Sequence, residues 1–163
     1  MHLLVQFLPF ANLPKRFELE YIDADGTKKE PIMIHRVVLG SIERFFGIIT
    51  ENFAGAFPVW LSPVQVCVMN IAESTSEYAK DIYENLFKLG FRVKLDTRNE
   101  KIGYKIREAA SKKIPYMIVL GDKEKEEGKI TVRMRGNKEL SGISLNEFIE
   151  RITNTISNKS LDV

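Results

Sequence analysis

The sequence predicts an α/β protein: a small three-layer domain over residues 62–157, preceded by a β-hairpin and one helix. Three observations predict it. Beyond residue 63, apolar residues recur alternately with period two and with helical period, in the order strand, helix, strand, helix, strand; that order implies parallel strands joined by right-handed crossovers. The stretch Ala54 to Pro63 (AGAFPVWLSP) holds one Gly and two Pro and separates this run from a hairpin-like amino-terminal part. The composition, 44% hydrophobic and 28% charged, suits a globular chain with a real core.

Taken in order, Gln6 to Phe10 reads as a short strand that Pro9 and Pro14 confine to an edge or to no strand at all. Phe17 to Ile22 alternates as a strand does, Asp23 to Gly26 is turn chemistry, and Pro31 to His35 is the expected returning strand. Val38, Ile42, Phe45, Phe46, Ile49 and Phe53 then recur at helical spacing and predict a helix over 38–53, with Gly40 and Gly47 inside it. Val64 to Ile71 is a compact apolar strand. Ser74 and Glu77 have capping-box spacing for a helix reaching Leu89, with Tyr78, Ile82, Leu86 and Leu89 inward and Gly90 ending it. Phe91 to Asp96 is the second strand. A polar, basic loop follows it, then a helix that Pro115 stops. Tyr116 to Leu120 is a buried third strand, Gly121 to Gly128 a charged turn, and Lys129 to Arg135 an added strand. Ser144 and Glu147 open a last helix with Leu145, Phe148, Ile149, Ile152 and Ile156 inward.

At 163 residues there is room for one full domain and part of another. The net charge of +2 divides unevenly along the chain. Residues 92–138 hold 14 Lys and Arg against 7 Asp and Glu, and the remainder is acidic, which is the footprint of a polyanion-binding face. The single Cys67 excludes an internal disulfide and reads as a small buried hydrophobe. No apolar stretch approaches the roughly 18 residues that span a bilayer. The start, MHLLVQFLPF, has no basic region or small-residue cleavage site, so a cytoplasmic setting is expected.

Three stretches can carry chemistry. The first is His35-Arg36 followed by Gly40-Ser41 and Glu43-Arg44. An arginine there can hold a nucleotide phosphate or stack on a base, and the same residues also suit an ordinary charged surface. His35 lacks neighbours with zinc-ligand spacing. The second stretch is DTRNEKIGYKIRE, Asp96 to Glu108, at the carboxyl end of a strand, where open α/β sheets usually bind ligands. Asn99 offers a donor and an acceptor to a base edge, while Arg98, Lys101 and Arg107 attract phosphate. Lys101, Lys105 and Lys112 fall within about 40° of one another on a helix, so they share one face, either a basic surface for phosphate or an ordinary solvated one. The third stretch is Asp122 to Arg135, where Glu124 can accept from a base and Arg133 can donate two parallel bonds. Tyr104 is either a stacking platform for an unpaired base or a core aromatic.

The segments PIMIHRVVLGSIERFFGIITENFAGAFPVWLSPVQV, RNEKIGYKIREA and IPYMIVLGDKE resemble the carboxyl-terminal part of bacterial-type threonyl-tRNA synthetase, in one collinear match over nearly all of residues 12–157. GSIERF is similar to the third signature motif of class II aminoacyl-tRNA synthetases. The resemblance implies that Arg44 is the ATP-contacting arginine, that Ser41 lies beside that pocket, and that His35 is one of three zinc ligands. It also implies that residues 58–163 form an anticodon-binding domain, a mixed sheet with helices, and that residues 1–57 are part of a catalytic domain. Asn99, Glu124 and Arg133 match anticodon-reading positions, and Arg98, Glu100, Lys101 and Arg107 belong to the same surface. The departures are the missing first two signature motifs, the missing two further zinc ligands, and Leu8-Pro9 where the family has Gln-x-Asp-Phe.

The expected partner is therefore threonine tRNA, with neither DNA nor membrane. Zinc and ATP are cofactors of the full-length family and not of this chain alone, which is expected not to aminoacylate. The other reading is a non-catalytic subunit that pairs, through the Val38–Phe53 face, with itself or with a full-length synthetase.

Overall fold

The computed structural model describes residues 6–9, 13–37, 39–136 and 138–161, with backbone only for 6–9 and 34–37. Backbone contacts divide the chain into two compact units, Met1–Ile49 and Thr50–Val163.

In the first unit, β1 (Gln6–Pro9) is followed by a helical turn, α1 (Leu13–Arg16). The carbonyls of that turn capture the amides of Phe17, Glu18 and Leu19, and Glu18 turns to φ 51°. The strand expected from Phe17 is thereby confined to β2 (Tyr21–Ile22), which pairs with β3 (Lys28–Lys29). The turn between them is as anticipated. Gly26 has φ 74° and donates to the Asp23 carbonyl, and Asp25 accepts from the amide and hydroxyl of Thr27. Pro31 has no amide to donate to a ladder. The return to β2 therefore ends before it, and β4 (Ile34–Val37) pairs instead with β1, with Leu8 opposite His35.

The next helix, α2 (Ile42–Asn52), is shorter than its apolar period. Gly40, at φ 67°, lies ahead of it in the entering turn, and the Ser41 hydroxyl caps the first turn by accepting from the Arg44 amide. No side chain of α2 is fully buried; Ile42 and Phe46 are exposed.

The second unit is a five-stranded mixed sheet in the order β6-β5-β7-β8-β9. The chain passes through β5 (Val66–Asn70), a 3-10 turn at Glu73–Thr75, α3 (Ser76–Lys88), β6 (Val93–Asp96), α4 (Ile102–Ser111) and β7 (Tyr116–Leu120). α5 (Asp122–Glu127), β8 (Ile130–Met134), β9 (Glu139–Ile143) and α6 (Leu145–Ser157) complete it. β5, β6 and β7 are parallel, and β8 and β9 add antiparallel at one side. β5 and β7 are buried along their whole length, as central strands covered on both faces must be.

One face packs Val66, Val68, Ile118, Leu120 and Val132 against Ile82 and Leu86 of α3 and Phe148 and Ile152 of α6. Tyr116 and Phe148 meet edge to face there, with ring centres 5.4 Å apart. The other face packs Cys67, Met69 and Met117 against Ala109 of α4 and Ile114. Burial pushes the Cys67 thiol up to about 11, in keeping with its reading as an inert core residue.

Several local expectations change. Ser74 does not cap α3; its hydroxyl donates to the Asp122 carboxylate at the start of α5 at 2.7 Å, and the 3-10 turn takes the cap's place. Leu89, after the last turn of α3, is exposed, and Gly90 leaves the helix at φ 85°. The charged turn is a helix, α5, because Glu124 reaches back to the Gly121 amide and Gly128 closes the other end at φ 65°. Ser144 does cap α6, accepting from the Glu147 amide.

Candidate nucleic-acid interface

The carboxyl ends of β5, β6 and β7 lie side by side, with Met69 opposite Asp96 and Asn70 opposite Leu120. The loop 97–101 leaves the β6 end and enters α4. Its shape is set from below. Asp96 is 5% exposed and its carboxylate takes Arg98 Nε at 2.9 Å and Nη2 at 2.6 Å. The same Arg98 Nη2 reaches Glu108 Oε2 on α4 at 2.6 Å, and Glu108 Oε1 accepts from Lys112 Nζ at 2.6 Å. These bonds to Arg98 hold the Asp96 carboxyl below the usual range despite burial. Lys112 and Arg98 together pull Glu108 down to about 2. Two carboxylates raise the Arg98 guanidinium further above its already high range.

Lys105 differs from the solvated helix lysine that the spacing suggested. It is 1% exposed, and its ammonium donates to the Asn70 carbonyl at 3.1 Å, Asn70 Oδ1 at 2.9 Å and the Asp96 carbonyl at 3.3 Å. Burial draws its pKa down and Asp96 draws it back up, with a net lowering. It ties β5 to β6 from within and has no face to offer RNA. The sequence carries a signal for this: Lys105 follows Ile102 by three and precedes Ala109 by four, on the apolar stripe of α4.

Above this base, Asn99, Glu100, Lys101 and Arg107 are all exposed. The Asn99, Lys101 and Arg107 side chains have no hydrogen-bond or ion-pair partner among the described residues. Tyr104 is 48% exposed and so is open to a stacked base.

Glu124 and Arg133 lie toward the other side of the sheet. Ile130, Val132 and Met134 of β8 enter the α3–α6 core, so Thr131 and Arg133 point to the face that α4 shares. Glu124 Oε1 accepts from the Thr131 hydroxyl at 2.9 Å and Oε2 from the Gly121 amide at 3.0 Å. Burial raises the Glu124 carboxyl, but those two hydrogen bonds, its own backbone amide and the Lys123 charge together outweigh it, so the net shift is downward and it stays an acceptor. Two of its roughly four acceptor directions remain available. It borders a hollow of about 190 Å³ with Lys123, Lys129, Thr131 and Ser141.

Arg133 donates from Nε to Glu139 at 2.9 Å in a pair exposed on both sides, which salt or a competing acceptor readily opens. A second hollow, about 100 Å³, runs from Arg133 to Ile106 and Ala110 of α4. Glu124 and Arg133 thus share one sheet face through Thr131. Asn99 follows β6, which is separated from β8 by β5 and β7 in the sheet.

The remaining predicted residues are in the first unit. Arg44 and Ser41 are exposed at the start of α2, where the Ser41 hydroxyl donates to Glu43 at 3.0 Å. His35 is placed by its backbone only, in β4. Among the described residues no three His, Cys, Asp or Glu side chains come together as metal ligands.

Much of the basic excess is structural. Arg92 donates to the carbonyls of Val59, Trp60 and Ser62, and Arg135 to those of Phe57 and Lys113. Lys125 holds the Ser74 carbonyl.

The sequence profile described as an anticodon binding domain matches residues 65–155. The threonine–tRNA ligases of Clostridium botulinum and Caldanaerobacter subterraneus are 57% and 59% identical over 148 and 149 residues, 91% of this chain. The chain spans 23% of the length of either. The crystal structure of the RNA-binding domain of threonyl-tRNA synthetase from Cryptosporidium parvum superposes with a TM-score of 0.72 at 36% identity, over 93% of this chain and 38% of that one. The mixed sheet, its flanking helices and the profile match agree, and the chain belongs to the anticodon-binding domain family, in the form carried by threonyl-tRNA synthetases.

Proposed function

We propose that this chain reads the anticodon of threonine tRNA. Asn99, Glu124 and Arg133 meet unstacked bases, while Lys101 and Arg107 hold the flanking phosphates. The observation that carries the reading is the state of those three side chains. Among the described residues, Asn99 is exposed without a side-chain partner, Glu124 is an ionised acceptor with directions to spare, and Arg133 is held by an exposed ion pair. Each has the hydrogen-bonding pattern that a base edge requires, and the buried ties beneath the loop restrict its motion before RNA arrives.

In this reading the ligation of threonine belongs to a whole ligase, where zinc and ATP act. The 58–163 part supplies RNA recognition, and residues 1–57, with Arg44, Ser41 and His35, are catalytic-domain sequence that does not aminoacylate by itself.

Asn99→Ala and Arg133→Ala test it against a threonine-tRNA transcript and an anticodon-swapped transcript. Each substitution is expected to cost about 1–3 kcal/mol on the cognate and much less on the swapped RNA. Equal losses on both would remove the base-reading assignment.

A further inference from the structure

Arg98 stands one residue before Asn99 and spends its guanidinium on two carboxylates. Nε and Nη2 together take both oxygens of Asp96 at the end of β6, and Nη2 also takes Glu108 on α4. One side chain therefore joins the element entering the loop to the element leaving it. Glu108 is fixed in turn by Lys112, and the carbonyl of Asp96 by the buried Lys105. These bonds engage Nε and Nη2, so a phosphate approaching Arg98 would have to use Nη1 and would lie beside the negative charges of Asp96 and Glu108.

We propose that Arg98 is a positioning residue and not an RNA contact: with Asp96 and Glu108 it fixes loop 97–101 so that Asn99 meets its base. Glu108, an acidic residue on a surface that binds a polyanion, is part of the device. The inference rests on the anticodon reading above.

The two roles predict opposite signs for one substitution. Glu108→Gln removes a negative charge and loosens the tie of Arg98 to α4, while Asp96 still holds the guanidinium. If Arg98 binds phosphate, every RNA binds more tightly. If Arg98 positions Asn99, the cognate transcript loses about fivefold or more while the swapped transcript is unchanged or slightly tighter, and Asn99→Ala with Glu108→Gln binds the cognate no worse than Asn99→Ala alone. Arg98→Lys keeps the charge and loses the two-pronged geometry, so it should lose the same cognate preference with the salt slope unaltered.

Thermal melting of each variant, run beside the binding, verifies the fold; Glu108 is partly exposed, and its replacement leaves no buried charge unpaired. Tighter binding of both RNAs by Glu108→Gln, additive losses in the double variant, or an intact cognate preference in Glu108→Gln and Arg98→Lys would overturn the proposal. Should Asn99→Ala itself weaken both transcripts alike, the anticodon reading is what has failed, and the positioning role falls with it.

Discussion

Lys105 places an ammonium where the stripe of α4 calls for an apolar side chain, and it does so with three oxygen acceptors around it. A buried cation of this kind is tolerated because it is hydrogen-bonded; removing it leaves the Asn70 and Asp96 acceptors unmatched in the interior. Lys105→Ala should therefore destabilise the domain by about 2–3 kcal/mol in denaturant unfolding, while the salt slope of RNA binding by the folded protein stays that of the parent. A slope reduced by about one would return Lys105 to the phosphate contacts. Residue types and spacing made Asn99, Glu124 and Arg133 legible as base-reading candidates. They revealed less of which cations are consumed inside the protein: the apolar stripe of α4 marks Lys105 as buried but does not name Asn70 of β5 as its acceptor, and the spacing of Asp96, Arg98 and Glu108 does not say that the three side chains meet.

At the scale of elements, period decided what could be read. β5 and β7 are continuous apolar runs, and α6 keeps its inward stripe through Phe148 and Ile152, so all three follow from the sequence. α5 and β9 were harder. The six residues of α5 are all charged and carry no apolar stripe; a backbone bond from Glu124 and a left-handed Gly128 define it. β9 has Leu140 and Ile143 out of alternation, with Gly142 at φ 69° between them and an irregular register to β8. The load on the core falls where the aromatics meet. Phe148→Ala, which empties the edge-to-face contact with Tyr116 beneath the sheet, is expected to cost about 3–5 kcal/mol; a loss below 1 kcal/mol by urea unfolding would mean that α6 does not anchor the sheet. Since α6 lies on the face opposite α4, variants there should change stability without changing which anticodon is preferred.

For the whole molecule, the uneven charge that marked residues 92–138 is only partly a binding surface. Arg92, Arg98, Lys105, Lys125 and Arg135 are committed to carbonyls or carboxylates within the chain. Lys101 and Arg107 remain exposed beside Asn99, so on the proposed reading affinity is expected to depend less on salt than fourteen cations would suggest, with base contacts carrying more of the selectivity. The measurement that tests this most directly is binding of the chain to a threonine-tRNA transcript and to its anticodon-swapped counterpart across a salt series. The cognate should bind at least about tenfold more tightly, roughly 1.4 kcal/mol, and that ratio should persist as both affinities fall with salt. Equal affinities for the two transcripts at every salt concentration would contradict an anticodon reader and leave only a basic surface.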